Sequence, residues 1–169
     1  MPKNRENKTK KIAFYGVFVT LALIASYVES LVPISVGISG VKLGLANLIT
    51  MLVLYCMGWK DAIIITCIRI VLSGFLFGNL FAITYSFAGA ILSFIVILIL
   101  KKLDFGMVAV SAMGGVFHNI GQILYAAILV ENIRLFYYLP VLLLSGILAG
   151  LAIGILGGHM IKRVLPMFQ

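Results

Sequence analysis

Apolar residues run in long blocks along this chain, and the polar positions between the blocks are short clusters. A helix needs about 20 apolar residues to cross the hydrocarbon core of a bilayer. The breaks leave six stretches near that size, 12–32, 43–58, 61–79, 80–100, 107–130 and 138–161. Pro33 and the glycine-rich run from Gly37 to Gly44 end the first, Gly58-Trp59-Lys60-Asp61 separates the second from the third, and Lys101-Lys102-Leu103-Asp104 separates the fourth from the fifth. Gly78-Asn79 reads as a turn, because without it residues 61–100 form one apolar helix of about 60 Å, twice what a bilayer accepts. The pattern predicts an all-α, polytopic membrane protein with six transmembrane helices. It divides into a cytoplasmic basic tail at 1–11, one membrane domain at 12–161 and a second cytoplasmic tail at 162–169.

Composition agrees: of 169 residues, 63% are hydrophobic and 11% charged, against roughly 25% charged in a soluble domain. A net charge of +8 first suggests nucleic acid, but five of the thirteen basic residues fall in the first eleven positions, ahead of an apolar run. That is a membrane-flanking arrangement, and it removes nucleic acid as a partner. With the N-terminus inside, the inner segments hold those five with Lys60, Lys101, Lys102, Lys162 and Arg163, while the outer segments hold Lys42 and Arg134. Ten against two places both termini in the cytoplasm of a multi-pass protein of the cell membrane. Trp59 and the Tyr137-Tyr138 pair suit the aromatic belts. The first apolar stretch exceeds a signal-peptide core and no Ala-x-Ala-like site follows it, so it is read as an uncleaved helix. Cys56 and Cys67 read as small packing residues, not a disulfide.

Chemistry is limited by the scarcity of polar groups. The five carboxylates, Glu6, Glu29, Asp61, Asp104 and Glu131, are dispersed. They cannot supply the clustered aspartates that hold Mg²⁺-diphosphate substrates, so neither a metal nor a cofactor is expected and the chain does not read as an enzyme. No G-x-x-x-x-G-K-[ST] occurs, so the chain cannot energise transport itself. Small residues recur at four-residue spacing in Gly146, Gly150, Gly154 and Gly158, in Ala82, Ser86 and Ala90, and in Gly74 with Gly78. Such ridges let helices approach closely. On the first helix the candidates are Gly16 with Thr20 and Ala22 with Ser26.

Burial in a membrane makes the remaining polar residues informative. Arg69 lies eight residues into the third stretch, about 12 Å above its inner boundary. His118 lies eleven residues into the fifth, about 17 Å up. His118, Gln122 and Tyr125 share one helical stripe with Asn119 beside them. A cluster of His, Asn and Gln near the depth of an Arg predicts a ligand site, with Arg69 as the cation, Asn119 and Gln122 reading hydrogen bonds, and Tyr125 or Tyr85 as an aromatic wall. Glu29 lies near the outer end of the first helix and is expected to pair with Lys42 or Asn47. Pairing with Arg69 must bridge roughly 13 Å of height. The glycines of the 33–42 loop suit a cover over an outward-facing pocket for a small-molecule substrate.

The stretches Gly40-Val41-Lys42-Leu43-Gly44-Leu45-Ala46-Asn47-Leu48-Ile49-Thr50 and His118-Asn119-Ile120-Gly121-Gln122 resemble the two hallmark segments of the Gx transporter family, also labelled heptaprenyl diphosphate synthase component I. The resemblance extends over the whole chain, including the Arg69 region and Ser86-Phe87-Ala88-Gly89-Ala90. It implies a protein similar to the substrate-binding S components of energy-coupling factor transporters. Those use an outer-loop lid and small residues on helix one to meet a transmembrane coupling subunit driven by ATPases; this chain has Ala22 and Ser26 there. The second label implies an accessory subunit beside a soluble prenyl synthase, or a membrane binder of isoprenoids or quinones.

Overall fold

The computed structural model describes residues 2–31 and 44–168. Among these the chain forms six α-helices and no strand: α1 (Pro2–Leu31), α2 (Leu45–Cys56), α3 (Trp59–Phe77), α4 (Leu80–Lys102), α5 (Met107–Leu129) and α6 (Leu139–Val164). Short 3-10 turns occupy Ile133–Tyr138 and Leu165–Phe168. Four segments are long and apolar enough to cross a membrane: Thr9–Leu31, Leu80–Lys102, Met107–Leu129 and Ile133–Val164. The chain is therefore a multi-pass helical membrane protein. The other two helices depart from the expected uniform spans. α2 has 12 residues, about 18 Å, and α3 has 19 but carries Lys60, Asp61 and Arg69.

The breaks have local causes. Asn79 is extended, and its side chain accepts the Ala82 N–H at 2.8 Å, so it ends one helix and caps the next. Gly44 begins α2 at φ 77°, where a Cβ would come within 2.7 Å of Ile153 Cδ1 on α6; only glycine meets both demands. α1 starts at Pro2, so the basic stretch read as a tail continues the first helix.

α2, α3, α4, α5 and α6 close into a ring in that order, with α6 returning to α2, and α1 packs against α2 and α3. Glycines set the closest contacts. A Cβ on Gly146, Gly150 or Gly154 would come within 2.9 Å of the α5 backbone at Gly115, Ser111 or Val108. That ridge is intramolecular packing. Gly158, by contrast, faces open space. Ala22 is 1% exposed and lies in the core, so the expected docking pair on α1 does not present Ala22 to a partner.

All six helices contribute to an apolar core, from Phe18 and Ala22 through Met51, Leu52, Val53 and Leu54 to Ile65, Ile97, Val110 and Ile153. α2 lies at its centre, with Ile49 to Leu54 buried in succession. At the end of the bundle carrying the basic residues, Asp61 accepts from the Tyr15 hydroxyl at 2.5 Å and pairs with Lys11 Nζ at 2.7 Å, tying α1 to α3. Lys101 Nζ donates to the Leu54 carbonyl at 2.8 Å and sits 4.4 Å from the Tyr55 ring centre, tying α4 to α2. Phe168 packs its ring on Phe14 at 4.4 Å. This end is closed.

Candidate functional site

Away from the closed end, the ring encloses a cavity of about 330 Å³ lined by residues of all six helices. Its wall includes Ser26 and Glu29 of α1, Asn47 and Thr50 of α2, Thr66, Arg69, Ser73 and Phe77 of α3, Ser86, Ser93 and Phe94 of α4, Ser111, His118, Asn119 and Gln122 of α5, and Gly146 and Gly150 of α6. Ser30, Phe77 and Gly78 line it and are also exposed, so the mouth lies at the C-terminal ends of α1 and α3, opposite the basic end.

Helical spacing builds each wall. On α3, Thr66, Arg69, Ile70, Ser73 and Phe77 fall at i, i+3, i+4, i+7 and i+11, and all face the cavity. On α4, Ser86, Ala90, Ser93 and Ile97 do the same. Gly89 holds α4 against α5, because a Cβ there would meet Gln122 Cγ at 2.8 Å and His118 Cε1 at 2.9 Å. The close approach fixes where those two side chains stand.

Much of this polar lining is committed to the protein. Thr50 and Thr66 hydroxyls share a hydrogen bond of 3.1 Å, Ser93 donates to the Gly114 carbonyl at 2.9 Å, and Ser73 donates to the Ile70 carbonyl. Asn119 Nδ2 donates to the Leu142 carbonyl at 2.6 Å, fastening α5 to α6. Glu29 Oε1 accepts the Leu45 N–H at 2.5 Å and so caps the N-terminus of α2, where a negative charge is stabilised by the helix dipole. Glu29 is also the carboxylate whose charge acts on Arg69. Two buried polar atoms stand apart: Arg69 Nε and Ser26 Oγ have no hydrogen-bond partner among the described residues.

The structure thus brings Arg69, His118, Asn119, Gln122, Asn47 and Glu29 to one cavity. Tyr85 and Tyr125 are not among the lining residues; Phe81 stacks on Tyr85 at 5.5 Å and lies 6.3 Å from Tyr125, an aromatic cluster between α4 and α5. Phe77 and Phe94 take the aromatic positions in the wall instead. Lys42, and with it the expected loop cover, lies outside the described residues. The row of hydroxyls on α3 and α4 was not anticipated, though its helical spacing was there to be read.

A bundle of apolar helices around a polar cavity, closed at its basic end, defines the class as a helical membrane protein with an interior cavity. The family model for heptaprenyl diphosphate synthase component I matches residues 18–160, and the chain belongs to that family. The match includes both hallmark stretches, from Gly40 to Thr50 and from His118 to Gln122. No curated protein and no solved structure matches the chain.

Proposed function

We propose that the chain is the solute-binding membrane component of an uptake system, similar to an energy-coupling factor S component. On this reading it spans the cell membrane six times with both termini in the cytoplasm, and its cavity opens outward. The observation that carries the reading is the Arg69 Nε, buried in the cavity wall without a partner among the described residues. Leaving such a donor unsatisfied costs ~1–3 kcal/mol, which a bound acceptor recovers. The apolar core beneath the cavity supports a binder that needs a partner to finish transport, and on this reading a transmembrane coupling subunit and its ATPases supply the energy, in keeping with a sequence that holds no G-x-x-x-x-G-K-[ST].

The family description favours a second reading, a membrane accessory subunit beside a soluble prenyl synthase. The cavity supports the first more directly. A space of about 150 Å³ admits a benzene ring, so about 330 Å³ suits a ligand of one or two rings. Purifying the tagged chain from its own membranes separates the two. Co-purification of a coupling subunit with ATPases is the expected result. Co-purification of a soluble prenyl synthase, with loss of long-chain product on deletion, moves the protein to the accessory role.

A further inference from the structure

We infer that Gln122 sets the ligand specificity of the cavity, and that the ligand it reads carries an amide edge, an N–H beside a C=O. This rests on the solute-binding reading above and names the ligand chemistry of the same cavity. Gln122 is 3% exposed, lines the cavity and makes no hydrogen bond among the described residues. The polar side-chain atoms sealed away without a partner there are Ser26 Oγ and Arg69 Nε. The Gln122 amide is not one of them, so it stays open, and the space beside it is the cavity. Ser111 shares that state, but a rotating hydroxyl donates or accepts as its partner requires and discriminates little.

Packing holds the amide in place. A Cβ on Gly89 would come within 2.8 Å of Gln122 Cγ, and one on Gly121 within 2.6 Å of the Ala88 carbonyl oxygen, so α4 and α5 meet closely beside the Gln122 stem. His118 and Asn119, at i−4 and i−3, line the same cavity, which puts Gln122 on the inward stripe of α5. A held carboxamide presents one acceptor and its N–H donors side by side. Another amide edge satisfies both at once, through two parallel hydrogen bonds. The pairing holds whichever way the Gln122 amide is turned, because such an edge is self-complementary. A ketone of the same shape accepts from the N–H but leaves the Gln122 oxygen facing a methyl group, and a carboxylate sets its second oxygen against that oxygen. Stranding a buried polar group in this way is what lets a site reject a close analogue.

The test uses the full chain in lipid nanodiscs, with benzamide as the amide probe and acetophenone, which replaces its NH₂ by a methyl group, as the control. The sequence holds two glutamines, Gln122 and Gln169. Labelling glutamine side chains with ¹⁵N therefore gives two NH₂ signals, of which Gln169 is the internal reference. Benzamide should shift the Gln122 signal saturably and leave Gln169 unmoved. It should bind about tenfold more tightly than acetophenone, and Gln122→Met should bring the two probes to within about twofold. Failure of benzamide to bind, binding that leaves the Gln122 signal in place, or equal affinity for acetophenone in the native protein overturns the proposal. Should Gln122→Met fail to fold, the Gln122 signal of the native chain decides alone. The solute-binding reading is judged separately, by labelling Ser86→Cys in a Cys56→Ala, Cys67→Ala background with an impermeant maleimide from outside. Labelling without a benzamide effect keeps the outward cavity and discards the ligand class. A shifted Gln122 signal without labelling keeps the ligand class and discards the outward opening.

Discussion

Arg69 lies ten residues from the start of α3, about 15 Å up the helix, where a guanidinium in lipid would cost at least ~2.5 kcal/mol. The protein meets that cost with a cavity and leaves one donor of the guanidinium without a partner among the described residues. Arg69→Gln should therefore weaken solute binding by about 1.5–3 kcal/mol, the scale of a charge-assisted hydrogen bond, while expression stays near normal; titration calorimetry against a solute identified from the purified protein measures it. Arg69, His118 and Gln122 could be read from sequence because ionisable and amide groups deep in apolar helices must face something polar. The serine and threonine hydroxyls could not be read so directly, since they also satisfy themselves on the carbonyl one turn back, as Thr50 does on Ala46 and Thr84 on Leu80. Tyr85 and Tyr125 misled for a related reason: an aromatic ring on the right stripe packs as readily on Phe81 as on a ligand. Glu29 caps α2 through the Leu45 N–H, a contact across sixteen residues that no local pattern encodes.

Helix positions followed from breakers, and the turn at Gly78-Asn79 falls where the length argument put it. Hydropathy was less informative about extent. It reports lipid, so it missed the polar first turns of α1, and it could not separate a lipid-facing helix from α2, which is apolar because protein surrounds it. Packing between α5 and α6 depends on glycine. Gly150→Ala should cost about 1–3 kcal/mol, because the new Cβ would lie 2.5 Å from the Ser111 carbonyl oxygen with backbone on both sides. Gly16→Ala, into open space on α1, should leave stability unchanged or raise it by up to ~1 kcal/mol. Equal melting temperatures for the two variants would contradict this account of the ridge. At the basic end, Lys11→Ala should cost ~0.2–1 kcal/mol, as for an exposed ion pair. Asp61→Ala should cost more, about 1–3 kcal/mol, because it also strands the Tyr15 hydroxyl and removes a negative charge from the first turn of α3. Thermal unfolding of both variants checks the order.

At the scale of the molecule, the closed, positively charged end and the cavity mouth at the opposite end give the bundle a direction, and on the proposed topology the basic end faces the cytoplasm. Cysteines introduced at Ile38 and at Lys101 should react with impermeant reagents from opposite faces of the membrane, Ile38 from outside. Reaction of both from the same face would contradict six spans. The central claim is that the cavity holds a small solute by Arg69. Its most direct measurement is mass spectrometry of small molecules released on denaturing the full chain purified from native membranes, alongside Arg69→Gln prepared in the same way. The account predicts a compound small enough for a cavity of about 330 Å³, present in the native preparation and at least about tenfold depleted in the variant. Equal amounts in both preparations, or release of a prenyl diphosphate, would contradict it.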